Sequence, residues 1–129
     1  RGQWKDTTDH RPVVSIVCNF TPPSEDKPSL LTYDEVNTLF HEFGHALHGM
    51  LANGKYKSLS GTSVFWDFVE LPSQIMENWL EEKECLDLFA KHYETGAPIP
   101  QELVQKIKDS SKFHAAYQTV LQLQMGRSA

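Results

Sequence analysis

One long helical period constrains this chain more than any other feature. From Val36 the apolar residues fall at Leu39, Phe40, Phe43, Leu47, Met50 and Leu51, a rhythm of about 100° per residue that gathers them on one stripe. Such a stripe predicts a helix with one face in a core. Thr32-Tyr33-Asp34-Glu35 has the spacing of a capping box, a hydroxyl followed three residues later by a carboxylate, so the helix is expected to start there. Asn53-Gly54 supplies the expected stop.

Inside this helix lies His41-Glu42-Phe43-Gly44-His45. Residues i and i+4 sit one turn apart on one face, so both imidazoles can reach a single tetrahedral zinc ion, away from the apolar stripe. Glu42, rotated by about 100° from His41, is expected to miss the metal and act on a bound water as general base. The competing reading is a helix whose polar face is merely solvated. Gly44 weighs against it, because glycine in a helix costs about 1 kcal/mol relative to alanine and needs a compensating close approach. His48 shares the face but stands about 10.5 Å along the axis from His41, too far to share one ion. It is expected to line a cleft, to stand behind a ligand, or to be a surface histidine.

A third ligand is expected from Asp67-Phe68-Val69-Glu70-Leu71-Pro72, where periodicity leaves both Glu70 and Asp67 open. The apolar neighbours of Glu70 suggest a carboxylate held inside, which needs a partner. Glu77, seven residues on, shares the helical face of Glu70. It is expected to accept a hydrogen bond from the far nitrogen of a zinc histidine, the alternative being a solvated charge leading Glu81, Glu82 and Glu84.

The rest of the chain reads as mainly α with a small β element near the N-terminus. Pro12 to Phe20 is β-branched and predicts a short strand; Thr21 to Ser29, with three prolines, predicts a loop. Lys55 to Trp66 alternates loosely and could hold one or two short strands. A second helical period runs through Ile75, Trp79, Leu86, Phe89 and Tyr93 to Thr95-Gly96, with Pro72 opening or kinking it. A third helix is expected from Pro100, with Leu103, Val104 and Ile107 on one face, and a fourth from Ala115 to Met125. A length of 129 residues predicts a single domain, 1–129. The start at Arg1 and the apolar pattern cut at Gly126-Arg127-Ser128-Ala129 suggest a segment of a longer chain. A net charge of −5 leaves no basic stripe for nucleic acid or anionic lipid, and no apolar run suggests a membrane span. Cys18 and Cys85 are too few for a disulfide framework, which favours free thiols in the cytoplasm.

Taken together, Phe40-His41-Glu42-Phe43-Gly44-His45-Ala46-Leu47-His48-Gly49, Ser60-Gly61-Thr62, Asp67-Phe68-Val69-Glu70-Leu71-Pro72-Ser73-Gln74 and Glu77-Asn78-Trp79 resemble the thimet oligopeptidase family of zinc metallopeptidases. That family includes neurolysin, oligopeptidase A and bacterial peptidyl-dipeptidase. Val17-Cys18-Asn19-Phe20 and His92-Tyr93-Glu94-Thr95-Gly96 look closest to the peptidyl-dipeptidase branch. The resemblance implies a zincin-like core of packed helices, with Zn²⁺ held by His41, His45 and Glu70 and with Glu42 as base. It implies hydrolysis of short peptides, with release of C-terminal dipeptides, or endo-acting cleavage as the alternative within the family. The rival from another class is a noncatalytic helical module tied by zinc. Family members are several times longer and carry a downstream histidine and tyrosine cluster that stabilises the tetrahedral intermediate. His114 and Tyr117 do not match that cluster and read as helix-packing residues. This segment is therefore expected to pack against the remainder of a parent enzyme and to hydrolyse peptides poorly alone.

Overall fold

The computed structural model describes residues 2–113 and 115–127. The fold is mainly helical, and the backbone forms two compact units divided after Leu80.

The first unit opens with an antiparallel hairpin, β1 (Trp4–Lys5) and β2 (Asp9–His10), pairing Trp4 with His10 and Lys5 with Asp9. This hairpin, rather than the expected strand from Pro12 to Phe20, is the small β element. Branched side chains favour an extended backbone, but a strand also needs a neighbour for its amides and carbonyls. Among the described residues none pairs with 12–20 as a strand, and Val17 is 84% exposed. The strands expected within 55–66 are absent too. Lys57–Leu59 is a 3₁₀ turn, and Gly61 takes a positive φ of 58°, which ends any extended run.

Helix α1 (Tyr33–Met50) starts with the expected capping box. Thr32 Oγ1 accepts the Glu35 N–H at 3.2 Å, and Glu35 Oε2 accepts the Thr32 N–H at 2.7 Å. The other oxygen of Glu35 accepts the N–H and the hydroxyl of Thr21 at 2.6 and 2.7 Å, so one carboxylate ties the proline loop to the helix start. The amide of Thr32 and both donors of Thr21 hold the Glu35 carboxyl down from 4.5 to about 2. At the other end, Arg11 donates to the carbonyls of Met50 and Ala52, groups that a helix terminus leaves without partners. Gln3, fully buried, accepts the Gly54 N–H at 2.8 Å and donates to Asp9 at 3.1 Å. The hairpin thus caps α1.

The apolar stripe of α1 is not the buried core that its period suggests. Phe43 is 42% and Leu51 is 73% exposed, while the buried residues of the helix are Gly44 and Ala46. Periodicity says which residues share a face; burial needs an element to cover that face. The packing partner of α1 is α3 (Leu71–Glu77), which follows the short helix α2 (Trp66–Val69) with only Glu70 between them. Pro72 lies in the first turn of α3 and opens it, where its missing N–H costs nothing.

The expected helix from Ile75 to Tyr93 is interrupted. After α3 the chain passes through a 3₁₀ segment (Asn78–Glu81), then an extended Glu82, before α4 (Lys83–Phe89). In the second unit a turn at Gly96, φ 69°, leads to α5 (Gln101–Lys112), with Pro100 at its N-cap as expected, and then to α6 (Ala115–Arg127). Leu86 and Val104 are buried. Tyr117, expected as a helix-packing residue, is 58% exposed; His114 lies outside the described residues. No described helix is long and apolar enough to cross a membrane.

Candidate metal centre

Every residue of this centre belongs to α1, to α3 or to the junction before α3. His41 and His45 leave α1 one turn apart, with ring centroids 4.9 Å apart and planes nearly perpendicular. Glu70 closes α2 and opens α3, and its Oε2 lies 3.2 Å from His41 Nε2 and 3.1 Å from His45 Nε2. Among the described residues this is the group of three donors that could hold an ion, all within 4.8 Å of one another. Asp67 is not part of it.

Glu70 departs from one expectation. Its side chain is 49% exposed, not held inside, and its neighbours Phe68 and Leu71 are about equally open. What holds it is polar. The hydroxyl of Ser73, a fully buried residue, donates to Glu70 Oε2 at 2.7 Å. That bond, followed by the charges of His45 and His41, keeps the Glu70 carboxyl below its ordinary range despite some desolvation. Ser73 carries a role that periodicity could not reveal; the only sequence signal was a small polar residue one turn after Glu70.

Glu77 Oε1 lies 2.6 Å from His41 Nδ1, within hydrogen-bond reach. A carboxylate only accepts, so Nδ1 donates to Glu77, and Nε2 is the ring nitrogen that faces Glu70. His45 differs. Its Nδ1 is buried without a hydrogen-bond partner among the described residues. The donor set fits a divalent cation: two imidazole nitrogens each lie 3.1–3.2 Å from one carboxylate oxygen, all three donors fall within 4.8 Å, and polar atoms at that spacing need a proton or a cation between them. Nitrogen and oxygen donors of this kind suit zinc.

Gly44 explains how two helices approach closely enough to make the set. A Cβ at Gly44 would lie 2.5 Å from both the Pro72 carbonyl oxygen and the Ser73 Cα, so α3 rests directly on the α1 backbone there. That is the compensating close approach expected for this glycine. Glu42 is half-buried and has no hydrogen bond or ion pair with the described residues. His48 takes no part in the donor group: it lines an apolar groove of about 410 Å³ between α1 and α3, with its ring in a T-shaped contact with Phe68. On the other side, His45 borders a cleft of about 330 Å³ walled by Val13 to Ser15 and Ser60 to Ser63. Cys18 and Cys85 are both free.

A helix pair presenting His41, His45 and Glu70 with an uncommitted Glu42 defines the class, a helical HExxH protein with a third carboxylate donor on a second helix. Residues 1–127 match the model of peptidase family M3, and the chain belongs to that family. It is 50% identical over 128 residues to oligopeptidase A of Salmonella typhimurium, covering 97% of this chain and 19% of that protein. It is 48% identical over 107 residues to dipeptidyl carboxypeptidase of Escherichia coli, covering 83% of this chain and 16% of that protein. Saccharolysin of Saccharomyces cerevisiae is 42% identical over 122 residues, covering 94% and 17%. The chain thus spans about a fifth of the length of the curated relatives it matches, and both kinds of bacterial relative stand at nearly equal identity.

Proposed function

We propose that this chain is the zinc-binding catalytic core of a metallopeptidase acting on short peptides, with His41, His45 and Glu70 as ligands and Glu42 as general base. The observation that carries this reading is the gathering of three donors, His41, His45 and Glu70, within 4.8 Å of one another, with Glu42 next in sequence to His41 and without a hydrogen bond or ion pair among the described residues. Zinc, when bound, supplies a Lewis acid for the peptide carbonyl and acidifies a water molecule. Glu42 would accept a proton from the water as its oxygen bonds the peptide carbonyl carbon, and would return that proton to the amine nitrogen as the C–N bond breaks. Glu77 keeps the His41 proton on Nδ1 and so holds the ring in its ligating tautomer. The cleft that His45 borders gives a peptide room beside that donor.

For the full-length protein we propose release of C-terminal dipeptides, as the name of the dipeptidyl carboxypeptidase relative describes for that protein. Endo-acting cleavage is the second reading, favoured by the relatives named oligopeptidase A. A cytoplasmic location is proposed from the relative named probable cytosolic oligopeptidase A of Arabidopsis thaliana, 45% identical over 120 residues. Mass spectrometry of products from a blocked and a free-carboxylate peptide separates the two cleavage modes. Glu42→Gln should retain zinc yet lose hydrolysis, because an amide can bond the water but cannot accept its proton. Retained turnover in that variant would point to another base.

A further inference from the structure

We propose that Ser73 is a positioning residue for the donor set: its buried hydroxyl aims Glu70 Oε2 at His41 and His45, and the absent Cβ of Gly44 sets the helix spacing this aim requires. The inference rests on the reading of Glu70 as a metal ligand.

Glu70 is a flexible side chain in a half-exposed place, and immobilising it costs rotamer entropy. Apolar packing does not restrain it, because Phe68 and Leu71 beside it are themselves open. The Ser73 hydroxyl does. It lies 2.7 Å from Oε2 and 2.9 Å from the Glu70 carbonyl oxygen. That carbonyl already accepts the Gln74 N–H at 2.9 Å, whereas among the described residues Oε2 has no other hydroxyl or amide donor. A hydroxyl has one proton, and the short contact to a charged acceptor is the stronger use of it.

A packing role alone accounts for the size of Ser73 but not for its oxygen. Its Cα lies against the Gly44 backbone and the residue is fully buried, and an alanine would keep that contact while lacking the hydroxyl. A fully buried hydroxyl is unfavourable unless it is bonded. Here the bond goes to the same carboxylate oxygen that faces both imidazoles. Position 73 is thus tied to both halves of the site, to α1 by backbone contact and to Glu70 by its side chain.

The test is a double-mutant cycle on zinc affinity, measured with the full chain by competition against a chromophoric chelator, with the Co²⁺ absorption spectrum as a second readout of coordination geometry. Ser73→Ala should keep the far-UV circular dichroism of the parent, weaken zinc binding by about 10- to 100-fold and alter the Co²⁺ bands. In a Glu70→Ala background the same substitution should change affinity by less than about twofold, since Ser73 then has nothing to aim. Parental affinity in Ser73→Ala, an equal loss in both backgrounds, or loss of the helical signal would each overturn the proposal, the last two by showing a packing role. If Glu70→Ala itself binds zinc like the parent, the ligand reading fails instead, and the two failures are told apart.

Discussion

Gly44 in α1 and Gly126 in α6 are the same residue in the same kind of element, yet their surroundings are opposite. A side chain added at Gly44 meets the backbone of Pro72 and Ser73 at 2.5 Å, and one added at Gly126 meets nothing within 4 Å. The first glycine is bought by a contact that brings two helices together; the second simply weakens its helix. The contrast extends to the regions around them. At the α1 and α3 contact, small buried residues and short polar bonds define the structure, whereas Val120, Leu123 and Met125 of α6 are each at least half exposed. Close approach and hydrogen bonding, more than apolar area, organise the region that carries the chemistry.

The largest effect should come from removing a donor at that contact. Glu70→Ala is expected to weaken zinc binding by more than the 10- to 100-fold expected of Glu77→Ala, roughly the range for groups that orient a ligand histidine. Asp67→Ala should bind as the parent does. Titration of the three variants against one chelator checks the order, and an Asp67 variant weaker than the Glu70 variant would reverse the assignment.

The two glycines should respond with opposite sign. Gly44→Ala is expected to destabilise the chain by up to about 2 kcal/mol, since an overpacking cost of about 1–3 kcal/mol against backbone outweighs a helix-propensity gain of about 1 kcal/mol. Gly126→Ala should stabilise by up to about 1 kcal/mol. Urea unfolding of both variants measures the difference, and a stabilised Gly44→Ala would mean that α3 can move away at no cost.

Smaller effects belong to the helix start, which depends less on tertiary contact. Thr32→Ala should cost about 1 kcal/mol through loss of the cap. Glu35 adds a pH dependence whose sign follows from its lowered pKa. Because the folded value is about 2 and the ordinary value 4.5, its contribution is full above 4.5 and is lost as the pH falls toward 2. In Glu35→Gln that portion of the acid loss should vanish, which urea midpoints between pH 5 and 2.5 would show.

Local signals were readable where a few neighbouring residues complete a structure. The capping box at Thr32, the helix opened by Pro100 and the one-turn spacing of His41 and His45 involve only residues within a turn of each other. The segment from Pro12 to Phe20 shows where such reading stops. Its composition favours extension, but strand pairing depends on a neighbour that no local pattern specifies. The same limit applied to the apolar stripe of α1, which has the period of a core face and little cover.

The sequence by itself determined which side chains share a face of α1 and that a glycine among them needed a reason, because the α-helical repeat places residues within one helix regardless of surroundings. Periodicity left Glu70 and Asp67 open, and the family resemblance favoured Glu70; the tertiary structure brought Glu70 to both histidines and Glu77 to His41 as expected, and it alone decided that Ser73 holds Glu70. These distances depend on where α3 crosses α1, and that crossing is set where Gly44 admits the backbone of Pro72 and Ser73. A contact between residues about 30 positions apart has no period to announce it.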